Sequence, residues 1–391
     1  MVSSVYARAL EELSSDHQEV VRLVARFAKE QVAPLAADID ATNEFPKQLY
    51  DAASSIGLVG LLLPEDAGGV DMPLAGLCLI YEEIAAASAT LAVILSNSIE
   101  AIVPLVKFTS EPLRAEVIER VLSRGEIPCF ALTEPGAGSD ATAITTRAER
   151  VDDGWVLNGR KVFITNGAYG SLYSVYAVTD HSASKGKRLS AFLVNRDDEG
   201  FSVGANEKTM GLRGSPLTEL IIENVRVDDS RLLGEVGQGV AIMMGMLNEA
   251  RVGAAAQCVG IARDALERAT AYASDRRAFG APIATHQAVQ LMLADMWIRT
   301  EASRTLTLAA ARAHERGAAD ARSLAAGCKA FASDAAVDST LDAIQIHGGY
   351  GYCEDFGVER LLRDAKAYQI FDGTNQIQRI NIARRLAPRR R

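Results

Sequence analysis

The chain has 391 residues, 48% of them hydrophobic and 23% charged, with a formal net charge of -9. That length exceeds one hydrophobic core, so two or three packed units are expected, and the acidic balance excludes nucleic acid as the main partner. The five cysteines (Cys78, Cys129, Cys258, Cys328 and Cys353) are scattered with no C-x-x-C pair, and read as buried free thiols in a reducing compartment. No charged start followed by an apolar stretch opens the chain, and no uncharged apolar run reaches the ~18 residues of a membrane span. A soluble, cytoplasmic protein is expected. The closing Arg389, Arg390 and Arg391 read as a frayed tail rather than a nucleic-acid arm.

From Ser14 to about Arg124 the pattern is helical. Val20, Val21, Val24 and Phe27 recur at three- and four-residue spacing, Pro46 stands where a helix would start and Gly57 where it would stop. Leu74–Leu95 is apolar almost all round, as in a helix buried on several sides. Near Ile127 the period changes. Thr145–Val151, Trp155–Asn158, Lys161–Thr165, Tyr173–Val178, Leu189–Val194 and Thr218–Val227 are short, β-branched or aromatic segments, with Asp153-Gly154 and Asn158-Gly159 as the strongest hairpin signals. After Gly239 the helical pattern returns in Val240–Arg276, Pro282–Arg316, Ala319–His347 and Val358–Phe371, lengths suited to a four-helix arrangement. The expected organisation is a helical unit over residues 1–126, a β-rich unit over 127–235 and a second helical unit over 236–391.

Five stretches carry chemistry. In FALTEPGAGSDATA (130–143) Gly136 and Gly138 let backbone approach a bulky ligand, with the Thr133 and Ser139 hydroxyls nearby. Although GAGSDA fits a loose dinucleotide fingerprint, no helix or βαβ unit follows it. In KVFITNG (161–167) Phe163 and Thr165 suit a planar heterocycle or plain strand packing. DRRAFGAPIATHQ (275–287) offers Arg276 and Arg277 to a diphosphate and Phe279 to a flat ring, or is only a solvated helix end. Gly348, Gly349 and Gly351 in QIHGGYGYCEDFGVERLLRD (345–364) line a backbone just past a helix, as a ligand site or a simple cap.

The fifth stretch is YQIFDGTNQIQR (368–379). Asp372 follows the aromatic-apolar run of Tyr368, Ile370 and Phe371, a dry setting that raises a carboxylate's basicity; it also precedes a helical pattern, as an N-cap would. His17, His181, His286, His314 and His347 are dispersed, so no metal site is expected, and neither a G-x-S-x-G elbow nor a Walker A loop occurs.

Together these stretches resemble the acyl-CoA dehydrogenase family over nearly the whole chain. ALTEPGAGSDATA (131–143) fills the family's first signature and QIHGGYGYCEDFGVERLLRD (345–364) the second, while MMGMLNEAR (243–251), RRAFG (276–280) and YQIFDGTNQIQR match further blocks. The nearest likeness is to the short- and medium-chain, butyryl-type bacterial branch. The resemblance implies an α+β fold with an N-terminal helical domain, a middle β-barrel and a C-terminal four-helix bundle, assembled as a homotetramer, a dimer of dimers. It implies non-covalent FAD, an acyl-CoA substrate and an electron-transferring flavoprotein as acceptor. Carried over by position, Phe130, Leu132, Thr133, Ser139, Phe163, Ile164 and Thr165 would face the flavin, followed by Thr374 and Gln376. Arg276, Phe279, Gln287, Gln345, Gly348 and Gly349 would hold the adenosine and diphosphate end, partly across a subunit interface. Ser139, Asn248, Arg251 and Gly373 would meet the substrate, Arg251 at the CoA moiety.

The resemblance also makes Asp372 the proton-abstracting base. In one branch of the family the base is instead a Glu on the helix of residues 240–274, but that position aligns with Ala250, leaving Glu249 structural. Asp372 replaces the common Glu, and one methylene less draws the carboxylate back by about 1.5 Å. Asp here is similar to members acting on alicyclic acyl-CoAs and to nitroalkane oxidases, which implies a short, branched, cyclic or already unsaturated acyl group, with γ,δ or 1,4 regiochemistry as an alternative. Phe371, where Tyr is common, implies a drier pocket. A same-fold flavin oxidase and a catalytically silent flavin-binding scaffold are the competing expectations.

Overall fold

A computed structural model describes residues 3–387; the Arg389–Arg391 tail lies outside them. Seven α-helices come first: α1 (Ser4–Glu11), α2 (Ser15–Phe27), α3 (Ala36–Thr42), α4 (Lys47–Ser55), α5 (Leu74–Ala87), α6 (Ala89–Lys107) and α7 (Leu113–Ile118). The single helix expected over Leu74–Leu95 is two, because Ser88 is extended and its hydroxyl accepts the Leu91 N–H at 3.3 Å, capping α6. By length and composition α6 would cross a membrane, but most of it is buried inside the protein.

Eight strands follow: β1 (Pro128–Ala131), β2 (Arg147–Val151), β3 (Gly154–Thr165), β4 (Leu172–Val178), β5 (Leu189–Asn195), β6 (Phe201–Asn206), β7 (Leu217–Asp228) and β8 (Leu232–Leu233). They form one mixed sheet in the order β6-β7-β3-β2-β4-β5-β8, with β1 parallel to β4. Asp153-Gly154 turns the chain between β2 and β3 as expected. Asn158-Gly159 does not: it lies inside β3, where the register against β7 shifts between Leu157 and Gly159. The Asn158 side chain accepts the Asn224 N–H at 2.9 Å across that irregularity, and a Cβ at Gly159 would collide with Thr146 on the other side. Asn-Gly here serves a bulge and a close backbone approach, a use its sequence shares with hairpins.

The last unit holds α8 (Gly239–Asp275), a two-residue ladder of β9 (Arg277–Ala278) and β10 (Ala281–Pro282), then α9 (Gln287–Glu315), α10 (Ala321–His347), α11 (Val358–Tyr368) and α12 (Asn375–Leu386). Pro282, expected to open a helix, ends this small hairpin instead, and α9 begins at Gln287. The first and last units share a core along α5 and α8. Gly260 permits their approach, since an added Cβ would stand 2.9 Å from that of Ala85. Glu82 on α5, 2% exposed, accepts Arg304 of α9 through two bonds of 2.9 Å and Arg263 of α8 at 3.1 Å. A carboxylate so buried is tolerable because two guanidinium groups compensate its lost hydration. Four cysteines are buried thiols as expected; Cys353 is exposed, because it sits in the polar connection after α10 rather than on a helix face.

Replacing Gly159 by Val should therefore cost about 1–3 kcal/mol of stability through overpacking against Thr146. Urea unfolding, compared with the same change at exposed Gly186, measures it.

Candidate active site

Eight non-glycine residues among those described have a left-handed backbone, and three of them, Phe163, Phe279 and Asp372, are candidate site residues. For bulky side chains this conformation is costly, and it persists where surrounding structure enforces it.

Around Asp372 the enforcement is visible. Its carbonyl accepts Gln378 Nε2 at 2.8 Å and Arg251 Nε at 3.2 Å, and the Gly373 carbonyl accepts Gln378 Nε2 at 2.9 Å and Lys329 Nζ at 3.0 Å. Three helices, α8, α10 and α12, thus hold one turn by its carbonyl oxygens. The Asp372 N–H meets no protein acceptor among the described residues. The cap of α12 is not Asp372 but Thr374, whose hydroxyl accepts the Ile377 N–H at 3.3 Å, so the capping explanation of the Asp does not hold. Burial pushes the Asp372 carboxyl above the ordinary range, while the Lys329 and Arg251 cations pull it back. Burial in turn lowers Lys329 to about 8, against the attraction of Asp372. The dry wall is made by fully buried Tyr368 and by Phe371, whose ring is tilted by 55° against it at 4.7 Å; Ile370, grouped with them from sequence, is 57% exposed. Arg251 and Asn248, each 6% exposed, are bonded to one another at 3.0 Å, so both stand at the base of the turn. Gln376 is exposed beside Thr374 in an open hollow lined also by Asp334, Lys366 and Arg379.

A second cluster joins β1 and its following loop to β3. The Val162 N–H donates to the Thr133 carbonyl at 2.9 Å, which sets Thr133 beside Phe163. Beneath them lies a residue that motif reading passed over. Lys161, fully buried, donates to the Leu132 carbonyl at 3.1 Å, the Tyr176 carbonyl at 2.7 Å and Glu134 Oε1 at 2.8 Å. Glu134 also accepts the Thr145 and Thr146 N–H groups at 2.6 and 2.9 Å. Burial opposes ionisation of Glu134, but Lys161 and these bonds win and bring it to about 2, while burial lowers Lys161 to about 8. The signal available in sequence was only a lysine on an otherwise inward strand position. Above the pair, Phe130 meets Tyr176 edge-on at 5.1 Å, Leu132 and Ile164 are buried, Thr133 and Thr165 are partly exposed, Ser139 is exposed and the Phe163 ring is 54% exposed.

A third cluster lies at the end of α8 and α10. The Arg276 guanidinium stands over the Tyr350 ring at 5.8 Å, next to Gly348 and Gly349, and Phe279 meets His286 at 5.9 Å beside Gln287. Gln345, Gly348, Gly349 and Gln287 are exposed, and Phe279 is 97% exposed. Among the described residues no hydrogen bond or ring contact joins this cluster to the Phe130–Ser139 loop.

Three family models match the chain: the acyl-CoA dehydrogenase N-terminal domain over residues 14–125, the middle domain over 129–225 and the C-terminal domain over 237–387. The chain belongs to the acyl-CoA dehydrogenase family. It is 44% identical over 367 residues to an acyl-CoA dehydrogenase of Bacillus subtilis, covering 93% of this chain and 96% of that one. It is 40% identical over 379 residues to the cyclohex-1-ene-1-carbonyl-CoA dehydrogenase of Geobacter metallireducens, covering 96% and 99%. The butyryl-CoA dehydrogenase structure from Megasphaera elsdenii superposes with a TM-score of 0.92 at 36% identity, covering 96% of this chain and 99% of that one. This acyl-CoA dehydrogenase is accordingly an FAD-dependent oxidoreductase acting on the CH–CH bond of an acyl-CoA.

The second cluster fits a flavin. A Cβ added at Gly136 or Gly138 would meet no atom within 4 Å, so open space borders the loop where hydroxyls, backbone and the uncovered Phe163 ring converge. Lys161→Met should leave Glu134 buried without its cation and cost about 3–5 kcal/mol. Thermal unfolding and the 450 nm absorbance of purified protein should both fall, and the double variant Lys161→Met with Glu134→Leu should recover much of the stability.

Proposed function

We propose that Asp372 is the base that removes the α-proton of the acyl thioester. The observation carrying this is a carboxylate raised in basicity by burial, on a turn fixed by three helices, with its own N–H free. The N–H and the carboxylate of one residue then address one substrate: the N–H can donate to the thioester oxygen as enolate charge develops, while the carboxylate takes the adjacent proton. Lys329 and Arg251, held by the turn's carbonyls, offset part of the rise that burial imposes on the carboxyl. Bound FAD supplies the acceptor for the β-hydride. Phe130, Leu132, Thr133, Ser139, Phe163, Ile164 and Thr165 would hold its ring, with Thr374 and Gln376 beyond the base. Arg276, Phe279, Gln287, Gln345, Gly348 and Gly349 would hold the adenosine and diphosphate end of a second subunit's cofactor. That no hydrogen bond or ring contact among the described residues joins them to the ring cluster supports a site shared between copies, as do exposed Leu291, Trp297 and Ile298 on α9 and Phe331 and Leu341 on α10. We read the assembly as a homotetramer and the electron acceptor as an electron-transferring flavoprotein.

The shorter Asp side chain supports a short, branched, cyclic or already unsaturated acyl group over a straight chain, and the likeness to a cyclohexene-carbonyl-CoA dehydrogenase points the same way. A misplacement on the order of 1 Å costs ~10²-fold in rate, so the acyl group must bring its acidic carbon nearer to the turn. Turnover of butyryl-, crotonyl- and cyclohexanecarboxyl-CoA with a dye acceptor tests this, and butyryl-CoA proving by far the best substrate would refute it.

Asp372→Asn should slow anaerobic flavin bleaching by about 10²–10⁴-fold with FAD content unchanged. Lys329 holds the Asp372 pKa down, so removing its charge raises that pKa. In Lys329→Met the acid limb of the reduction rate should therefore move to higher pH, read by stopped-flow across pH 5 to 8.

A further inference from the structure

The Asp372 turn belongs to the helical bundle and the end of β3 to the sheet, so the separation of the two depends on what joins these units. Among the described residues only two hydrogen bonds run from the sheet and its loops, residues 128–233, to helices α8–α12, and both end on the loop between β6 and β7. The Leu212 N–H donates to Asp364 Oδ1 at 2.6 Å, and Arg363 Nη1 donates to the Met210 carbonyl at 3.2 Å. Between them Gly211 lies on the backbone of α11 itself, where a Cβ would stand 2.3 Å from the Arg363 carbonyl carbon. Leu212 has a left-handed backbone, which persists where surrounding structure enforces it. Asp364 is 3% exposed; burial raises its carboxyl to about 6, and the Leu212 N–H leads the groups that pull it back. The first unit braces the same loop, since Thr90 Oγ1 donates to the Arg213 carbonyl at 3.1 Å and Asn43 Oδ1 accepts the Gly214 N–H at 2.8 Å. All three units therefore meet at residues 210–214.

We infer that Asp364 is a positioning residue that sets the separation of Asp372 from the flavin-facing end of β3, and so governs hydride transfer more than proton abstraction; this rests on reading Asp372 as the base and Phe163–Thr165 as part of the flavin's wall. From Leu212 the path to that wall is short. The Pro216 carbonyl accepts the Asn166 N–H at 3.2 Å, Leu217 pairs with Thr165 and Thr218 with Ile164. From Asp364 the path to the base is one turn of α11 and the turn after it. Tyr368 ends the helix with its hydroxyl donating to Gln257 of α8 at 2.8 Å, and the Phe371 N–H donates to the Ala367 carbonyl at 3.1 Å, directly before Asp372. Of the two bonds, the one from Leu212 to the carboxylate is the shorter, as charge-assisted bonds are, while the Arg363 guanidinium is engaged chiefly by Asp40 at 2.8 and 2.5 Å. The reaction moves the C2 proton to Asp372 and the C3 hydride to FAD. Proton abstraction requires only that Asp372 meet the substrate, whereas hydride transfer also requires the sheet to present the ring at the right depth, and about 1 Å of misplacement costs ~10²-fold. Loosening Asp364 therefore separates the two transfers instead of abolishing the first.

The test reads the two transfers separately on the FAD-loaded enzyme, anaerobic in D2O, with whichever of butyryl- and cyclohexanecarboxyl-CoA bleaches the flavin faster. Bleaching in stopped flow reports the hydride, and deuterium at C2 of the recovered acyl-CoA, by mass spectrometry, reports removal and return of the proton. Asp364→Ala should slow bleaching by about tenfold or more and slow C2 exchange much less, so that the ratio of exchange to bleaching rises. Asp364→Asn, which keeps an oxygen for the Leu212 N–H, should stay near the unmodified ratio. Arg363→Met, which removes the second bond, should raise the ratio by a smaller factor, and it decides the matter if Asp364→Ala does not retain FAD. In the resting FAD-loaded enzyme, amide hydrogen exchange over residues 162–167 and 208–218 should quicken together in Asp364→Ala. Exchange and bleaching that fall in parallel, bleaching that is unchanged, or amide exchange that quickens over 208–218 alone overturns the inference. If neither acyl-CoA bleaches the flavin of the unmodified enzyme, the reading of Asp372 has failed and this one falls with it; if bleaching is normal and the ratio does not move, only the role of Asp364 has failed.

Discussion

Two carbonyl oxygens, those of Asp372 and Gly373, are the point on which the site turns. Gln378, Arg251 and Lys329 reach them from three different helices, so the orientation of Asp372 is set by the packing of the bundle and not by bonds to its own carboxylate. That leaves the carboxylate and the adjoining N–H available to a ligand, an arrangement in which the groups that act are held by groups that do not. The cost is local: a left-handed Asp, of order 1–3 kcal/mol for such a conformation, and a buried Gln378 Oε1 with no partner.

The cluster joining the Phe130–Ser139 loop to β3 is built by the same physical device. A buried ammonium has three donors in a compact head, and both Lys161 and Lys329 direct theirs at loop carbonyls behind a site, with a carboxyl or amide oxygen as further partner. Each is lowered to about 8 by burial, a measure of how dry these positions are. Arg would not substitute easily, since its planar fork demands more room and another geometry.

The order of helical and β-rich stretches was legible in the residues because their hydrophobic periods differ and persist over many residues. Boundaries failed where one local signal serves two structures. Ser88 divides an apolar run that periodicity alone would leave whole, Asn158-Gly159 forms a bulge with the chemistry of a turn, and Pro282 closes a hairpin with the chemistry of a helix start. Of the site, the glycine-rich loops and Asp372 stood out because their residue types are unusual for their setting. Lys161 and Lys329 did not, since a single charged residue in a strand or helix looks solvent-facing until the neighbours that bury it come from elsewhere in the chain. Arg251 and Asn248 were visible, but that both support the Asp372 turn depends on a contact across 121 positions.

Phe279, on a left-handed backbone at the tip of the β9–β10 hairpin, is almost wholly exposed. Covering an aromatic ring of that size is worth roughly 1.5–3 kcal/mol, a gain that a lone subunit forgoes. If the ring is covered by a nucleotide whose other end lies in a neighbouring copy, then cofactor and quaternary structure are thermodynamically one ligand. Dilution would strip the colour from the protein, and adding the nucleotide would reassemble it.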